Sequence, residues 1–571
     1  MKKLFKTVII TIIVLGALTA GGIFLLTRSD DEVGEFGTRR HSQQSDQEDS
    51  HAFRYDTEQL AIPLIREGEG KNVLNFDDLN VFTLGHSKSS RERLDRLIRR
   101  SNPDFEKPII AYNPFGTMEN TYYFYFKTQS KQMVKYTVTV EDEKVPDHIR
   151  YVNNGQVKNV STVHEFTVGG LIPGMTNYII IELIDENGGH RDEIVYKAEV
   201  PEATVSSKVS YERGKSDYRL QNGMFFMMPK DDKKIYIYDN NGYLRGIINT
   251  ESSHGRRIFA TDSNVVFQTA GTHVVKVNRL GQIEGMAIFT GIKEIIDYCY
   301  DGFDNIYALV KDRKQYKIVC SSSGVGKTKD VFVFPKGIKV NSIVSVAGSK
   351  LYASTSSPMG IMRIDGLMSA NPKVGLVAGL TADWMTTPYK KKIVDPTAPK
   401  KKKKSEDDKK KDKDKKSEDT KDSDETEDGA EGEAEEAASG EAVLVAPEEK
   451  KDPPFVGWDM KDTVLYLVDE ESSGKTDVLT FAVEKSRLIH AVKLQIDGKK
   501  KEVKLLLDKE TEFDGQVFMQ WYDHGYSVIA NGTRGTYEER DADFRVTRAF
   551  NFGREFDGLW KHSLEGMCFF G

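Results

Sequence analysis

The sequence predicts a mainly β protein whose C-terminal two thirds repeats one short-stranded unit. Two observations carry that reading. Runs such as Ile235-Tyr236-Ile237-Tyr238 and His273-Val274-Val275-Lys276-Val277 alternate β-branched or aromatic side chains at period two, the mark of half-buried strands. Each run ends in a reversal signal, Asn241-Gly242 after the first and Leu280-Gly281 after the second. The second observation is recurrence. The phrase "apolar, x, apolar, Asp or Asn, then Gly" occurs at Tyr236 to Gly242, at Val275 to Gly281, and in part at Met362 to Gly366. A second phrase recurs as Asn264-Val265-Val266-Phe267, and again from Asn305, Lys350, Val464 and Tyr526. A beat of roughly 40 to 45 residues with about four short strands is what a β-propeller blade requires. The competing reading of the same pattern is an all-β sandwich with accidental self-similarity.

The 571 residues exceed what one hydrophobic core serves, so two or more domains are expected. Hydrophobic residues make up 38%, enough for cores despite a mean hydropathy of -0.50. The net charge of -7 is concentrated in one tract: residues 400–452 hold 14 Lys and 20 acidic residues, leaving 67 basic and 68 acidic residues elsewhere. Nothing in that balance gives the basic footprint of a nucleic-acid binder. Cys299, Cys320 and Cys568 lack a metal-ligand spacing, so no zinc site is expected. They are read as buried thiols, with one Cys299–Cys320 disulfide on adjacent strands as the alternative.

In chain order, Lys2, Lys3 and Lys6 precede an uncharged run from Thr7 to Leu26. About 20 helical residues span a bilayer core of roughly 30 Å. Basic residues before the run and Asp30, Asp31, Glu32 and Glu35 after it predict a single-pass membrane helix (7–26), with the N-terminus cytoplasmic and the bulk of the chain outside. A cleaved signal peptide is the alternative, since Ala17 to Gly22 offers small residues. Residues 28–102 read as a polar stalk followed by a helix. Ser89 or Ser90 caps it, Leu94, Leu97 and Ile98 share its apolar face, and Asn102-Pro103 stops it. Its arginines form a solvated face, or alternatively one that meets phospholipid head groups or sulfates.

Residues 103–203 read as a small β-sandwich, with strand-like runs at Tyr122 to Lys127, Lys135 to Val140, Glu165 to Val168 and Tyr178 to Ile184. Within it, Leu171-Ile172-Pro173-Gly174-Met175-Thr176-Asn177-Tyr178 resembles the corner of fibronectin type III-like domains, in which the tyrosine hydroxyl ties down a turn. The repeat region then runs over 204–399 and 453–571. Between them, Lys400 to Lys416 holds eleven Lys and five acids, and Ser417 to Asp452 three Lys and fifteen acids. Such blocks bury no apolar surface, so 400–452 is expected to be a disordered insertion between blades. Its closure cost rises only logarithmically with length. It is read as a solvated spacer, with contact to an anionic membrane or wall polymer as the alternative for its basic half.

The segment from Pro103 to Thr128, with Val163 to Leu183, resembles the N-terminal immunoglobulin-like domain of the bacterial arylsulfotransferases. The resemblance runs from about Pro103 to the C-terminus apart from the insertion, and it implies a six-bladed propeller. It also implies transfer of a sulfuryl group from a phenolic sulfate to a phenol acceptor through a transiently sulfated histidine, without a nucleotide donor or other cofactor. That chemistry calls for an unprotonated imidazole, donors around the sulfate oxygens, and an acid-base for the phenol oxygens.

Carried over by motif, His254 keeps one histidine of the family's His-His-Asp phrase, with Arg256 and Arg257 beside it as sulfate-binding cations. Asn341 keeps the asparagine of His-x-Asn-Ser, while Lys339 stands where that phrase has histidine. Ser356 occupies the place of a family arginine, and Lys339 or Arg257 is a replacement cation. The nucleophile's position falls near Gln516, whose amide cannot carry sulfate, so His524 is the alternative nucleophile. Two functions follow: a membrane-anchored extracytoplasmic sulfotransferase with a rearranged site, or a noncatalytic propeller that binds an anionic or aromatic ligand or a partner protein. A cell-wall scaffold is a third reading, unsupported by any wall-binding repeat.

Overall fold

The computed structural model describes most of residues 82–380 and 517–564, together with strand backbones lying between 64 and 74, 386 and 445, and 464 and 512. The expected membrane helix at 7–26 lies outside the described residues. So does most of the charged tract. Among the described residues, no helix is long and apolar enough to cross a membrane.

The chain's one long described helix, α1 (Leu84–Ser101), begins several residues before the expected Ser89/Ser90 cap. Thr83 is the cap: it lies in extended conformation and its Oγ1 accepts the His86 amide at 3.0 Å, answering one of the helix's orphan donors. Asn102 ends it in the left-handed region at φ 44°, just before Pro103. Leu94 is fully buried, with Leu97 and Ile98 beside it, and the cluster takes in Ile109, Phe115 and Tyr123 of the next domain and Leu280 of the repeat region. Ser87 adds a polar tie, accepting the Ile283 amide at 3.0 Å. The basic face is partly committed, because Arg91 pairs with Asp95 and Glu165.

The sandwich is built around one strand, Tyr122–Val140, that passes between two sheets. Its first half pairs with Ile109–Tyr112 and Ser161–Val168, and its second half with His148–Val152 and Thr176–Ile184. The two expected runs at 122–127 and 135–140 are thus one strand. Phe124, Phe166 and Tyr136 stack in the core between the sheets. At the expected tyrosine corner, Tyr178 donates to Glu141 at 2.8 Å, and Asn177 does the stapling. Its Oδ1 accepts the Ile172 amide at 2.8 Å, and its Nδ2 donates to the Ile172 and Met175 carbonyls at 3.0 Å.

Among the described residues, six antiparallel sheets of four or five strands follow, besides one two-stranded pairing, and none is closed on itself. Five start in order at Ile258, Ile295, Lys339, Val464 and Val517, each with four strands in simple up-and-down order, some extended by an added edge strand. The remaining sheet takes three strands from the start of the region, Gly223–Pro229, Lys234–Tyr238 and Leu244–Asn249, and one from its end, Phe556–Ser563. That last strand lies alongside Gly223–Pro229, so the C-terminal segment joins the beginning of the region to its end. From the third sheet onward, the first strands contact one another in sequence: Ile295–Tyr300, Lys339–Val346, Val464–Glu470, Val517–Trp521, then Phe556–Ser563.

The repeated phrases map onto this order. Asn264, Asn305 and Lys350 open second strands, and Tyr526 immediately precedes one, whereas Val464 opens a first strand. The Asp/Asn-Gly phrase marks the turn from third to fourth strand, where Gly242 and Gly281 sit at φ 80° and 83°. Within the charged tract, Ala442–Val445 pairs with Lys390–Ile393, so the chain enters and leaves most of the tract side by side. The alternative of a Cys299–Cys320 disulfide on adjacent strands does not hold: Tyr307 of the intervening strand pairs with both residues, and neither cysteine is in a disulfide. Burial raises the Cys320 thiol to about 11, which keeps it protonated and unreactive.

The two folded parts are fastened together. Met118–Glu119 of the sandwich adds an edge strand to the first sheet, pairing with Ile248 and Ile247. Arg245 of that sheet is buried, donating to Asp239 at 2.7 Å and across the boundary to the Gly170 and Pro146 carbonyls at 3.0 and 2.6 Å.

Candidate functional site

Two ionic clusters lie inside the repeat region, the first of them where the first strands of the sheets meet. In the first, Arg257 directly precedes the second sheet's opening strand, Ile258–Ala260. It donates to Asp297 through Nε at 2.9 Å and Nη2 at 3.2 Å. Asp297 lies on the third sheet's first strand and also accepts the Ile343 amide, on the fourth sheet's first strand, at 2.9 Å. The Tyr298 hydroxyl donates to the Arg257 carbonyl, and the guanidinium lies 5.8 Å from the Trp560 ring on the closing strand. Four sheets therefore meet at Arg257 and Asp297, which are 6% and 5% exposed. A planar guanidinium suits such a site because its fork matches a carboxylate while its face lies on an aromatic ring.

The second cluster lies where the sixth sheet meets the closing strand. Lys561 donates to Glu539 at 2.8 Å, to Asn240 at 2.7 Å and to the Leu220 carbonyl. Glu539 also receives the Tyr537 hydroxyl at 2.8 Å, on the same Oε1. Its Oε2 is buried with no hydrogen-bond partner among the described residues. Loss of hydration outweighs the carboxylate's pull and brings the Lys561 ammonium down to about 8. Next to it on the same strand, His562 is held near 4 by burial, against the opposing pull of its bond to the Ile258 carbonyl. Its imidazole is therefore neutral at pH 7, and Nε2 is buried with no hydrogen-bond partner among the described residues.

Of the residues expected to carry chemistry, Arg257, Lys339 and Asn341 are described. Arg257 is engaged by Asp297, so its fork is already occupied by a carboxylate. Lys339 and Asn341 share the fourth sheet's first strand and are half-buried; Asn341 falls at a register shift, two residues before the Ile343 amide held by Asp297. The structure thus brings Arg257 and the strand of Lys339 and Asn341 to one carboxylate. His254, Arg256, His524 and Gln516 lie outside the described residues, as does the side chain of Ser356. The sequence does not single out Asp297, Glu539, Lys561 and His562, because nothing local distinguishes an inward-pointing charge on a strand from a solvated one.

Residues 109–201 match the family model described as the arylsulfotransferase Ig-like domain. No curated protein matches the chain. Among solved structures, the chain is similar to TolB from Acinetobacter baumannii, at 11% identity and TM-score 0.32, over 68% of this chain and 80% of that one. It is also similar to the dihydro-heme d1 dehydrogenase NirN, at 10% identity and TM-score 0.30, over 63% and 78% respectively.

Proposed function

We propose that the protein is arylsulfotransferase-like: an immunoglobulin-like domain leading a six-bladed propeller that moves a sulfuryl group between phenols. The observation carrying this reading is the family match over residues 109–201, immediately ahead of six consecutive antiparallel sheets whose last strand returns to the first. In this reading residues 7–26 anchor the chain in a membrane with its bulk outside the cytoplasm, and the reaction runs where the first strands converge. The neutral imidazole of His524 attacks sulfur as the S–O bond to the donor phenol breaks, and the departing phenolate takes a proton from protonated His254. The acceptor phenol then gives its proton to His254 and attacks the sulfur, and the sulfur–nitrogen bond breaks to regenerate the His524 imidazole. Lys339 and Asn341 donate to sulfate oxygens. Arg257, held by Asp297, keeps the strand of Asn341 in place, and Arg256 is the cation beside the sulfate.

The engagement of Arg257 by Asp297 favours a second reading, a propeller that binds an anionic or aromatic ligand without transferring the group, because one expected sulfate-binding cation is already neutralised. One experiment separates the two. The full chain in detergent is incubated with p-nitrophenyl sulfate and phenol, and nitrophenolate release is followed with intact-mass analysis of the protein. Turnover that His524→Ala abolishes, and that His254→Ala slows by about a hundredfold or more, supports transfer. Absence of both turnover and a sulfated histidine, together with thermal stabilisation by p-nitrophenyl sulfate, supports the binding reading.

A further inference from the structure

We infer that the cleft between the sandwich and the first sheet is a binding site for a small neutral polyhydroxyl compound, a saccharide of one or two rings. The inference is independent of the sulfotransferase reading, since the cleft lies on the outer strands of the first sheet, away from the converging first strands. It has a volume of about 280 Å³, just under the range of roughly 300–1,000 Å³ typical of drug-sized ligands.

The walls are preformed. Glu119 and Lys234 face each other across the boundary at 2.8 and 2.9 Å. Asn249 binds the sandwich twice, through its amide to the Thr117 carbonyl at 3.0 Å and through Nδ2 to the Gly116 carbonyl at 3.1 Å. Tyr236 bonds Asp232 at 2.5 Å and Thr204 at 2.8 Å, fixing the linker that forms the third wall. A site held this way by both domains loses little order when it binds.

The lining chemistry selects the ligand. Asn120 lines the cleft, is 4% exposed, and its Nδ2 has no hydrogen-bond partner among the described residues. Such a buried donor calls for an acceptor, and a ligand hydroxyl supplies one. Asn113, Thr204 and Asn249 add further neutral donors and acceptors, and Tyr112 adds a half-buried aromatic side chain. Glu119 and Lys234 cancel in charge, and Glu202 on the rim leaves the cleft net negative, which disfavours sulfates and other anions. Many hydroxyls that both donate and accept, on a ring with an apolar C–H face, meet these requirements together.

The test is saturation-transfer NMR on the full chain in detergent with glucose, galactose, N-acetylglucosamine and maltose as probes, and with methylamine and inorganic sulfate as competitors. The expected result is transfer to the ring protons of at least one sugar, with binding weakened about tenfold or more in Asn120→Asp, which retains the left-handed backbone at φ 59° but loses the free donor. Tyr112→Phe, which leaves the ring in place, should weaken binding less. The inference is overturned if no sugar receives saturation from protein whose circular dichroism is native. It is also overturned if Asn120→Asp binds sugar as the wild type does, or if methylamine or sulfate displaces the sugar.

Discussion

Arg257 and Asp297 join four sheets through one carboxylate, which holds the guanidinium by two hydrogen bonds and the Ile343 backbone amide by a third. The pair is nearly dry, so removing one partner strands the other. Asp297→Ala leaves both a buried cation and a buried amide unsatisfied, and it is expected to cost about 3–5 kcal/mol. Asp297→Asn keeps an acceptor oxygen and should cost less. Urea unfolding midpoints of the three proteins check the ordering, and an alanine variant as stable as the asparagine variant would contradict it.

The seam of Lys561 and Glu539 makes a companion prediction. Lys561→Met leaves the carboxylate buried with the Tyr537 hydroxyl as its one remaining side-chain donor among the described residues, at an expected cost of about 3–5 kcal/mol. In Lys561→Met/Glu539→Gln the uncompensated charge is gone, and more than half of that loss should return. Additive losses in the double-mutant cycle would show that the two residues do not act as a pair.

Gly170 tests the junction between the two folded parts. It sits at φ 84°, and its amide and carbonyl both bond Arg245. A Cβ there would lie 2.2 Å from Cδ2 of the buried His148 ring. Gly170→Ala combines the left-handed penalty with overpacking, for an expected loss of about 2–4 kcal/mol. Thermal unfolding measures it; a change within error would mean that the junction yields easily.

How much was legible in the sequence follows from which signals are local. Strand periodicity and Asp/Asn-Gly turns depend on neighbouring residues, so the third-to-fourth strand turns at Gly242 and Gly281 could be read directly. The return of Phe556–Ser563 to Gly223–Pro229 spans more than 300 residues, and no local pattern encodes it. The start of α1 differs from the expected one because Ser89 and Ser90 suit a cap as well as Thr83 does, and the earlier turn is decided by burial of His86 and Ser87 against other domains. The same limit applies to chemistry. His254 and Asn341 stand in recognisable phrases, whereas Asp297 and Glu539 gain their character from partners 40 and 22 residues away.

Acid should destabilise the protein between about pH 6.5 and 4, and His562 is the residue best placed to show it. Burial holds both His562 and His164 at about 4, and it lowers His148 and His86 as well. The unfolded chain protonates these imidazoles near 6.5, before the folded chain does, so it binds more protons throughout that window. Stability is therefore fully present above pH 6.5 and is lost as pH falls towards 4. For His562 alone the full loss is about 3 kcal/mol, of which about 2 kcal/mol has gone by pH 5. Carboxylates held low, such as Asp185 and Asp231, titrate below this window, so comparing pH 7 with pH 5 isolates the histidines. His562→Gln keeps a neutral polar group beside the Ile258 carbonyl and should lower stability at pH 7, yet lose about 2 kcal/mol less than wild type on going to pH 5. Urea titrations of both proteins at the two pH values decide it, and equal losses would show that the imidazole is not held neutral.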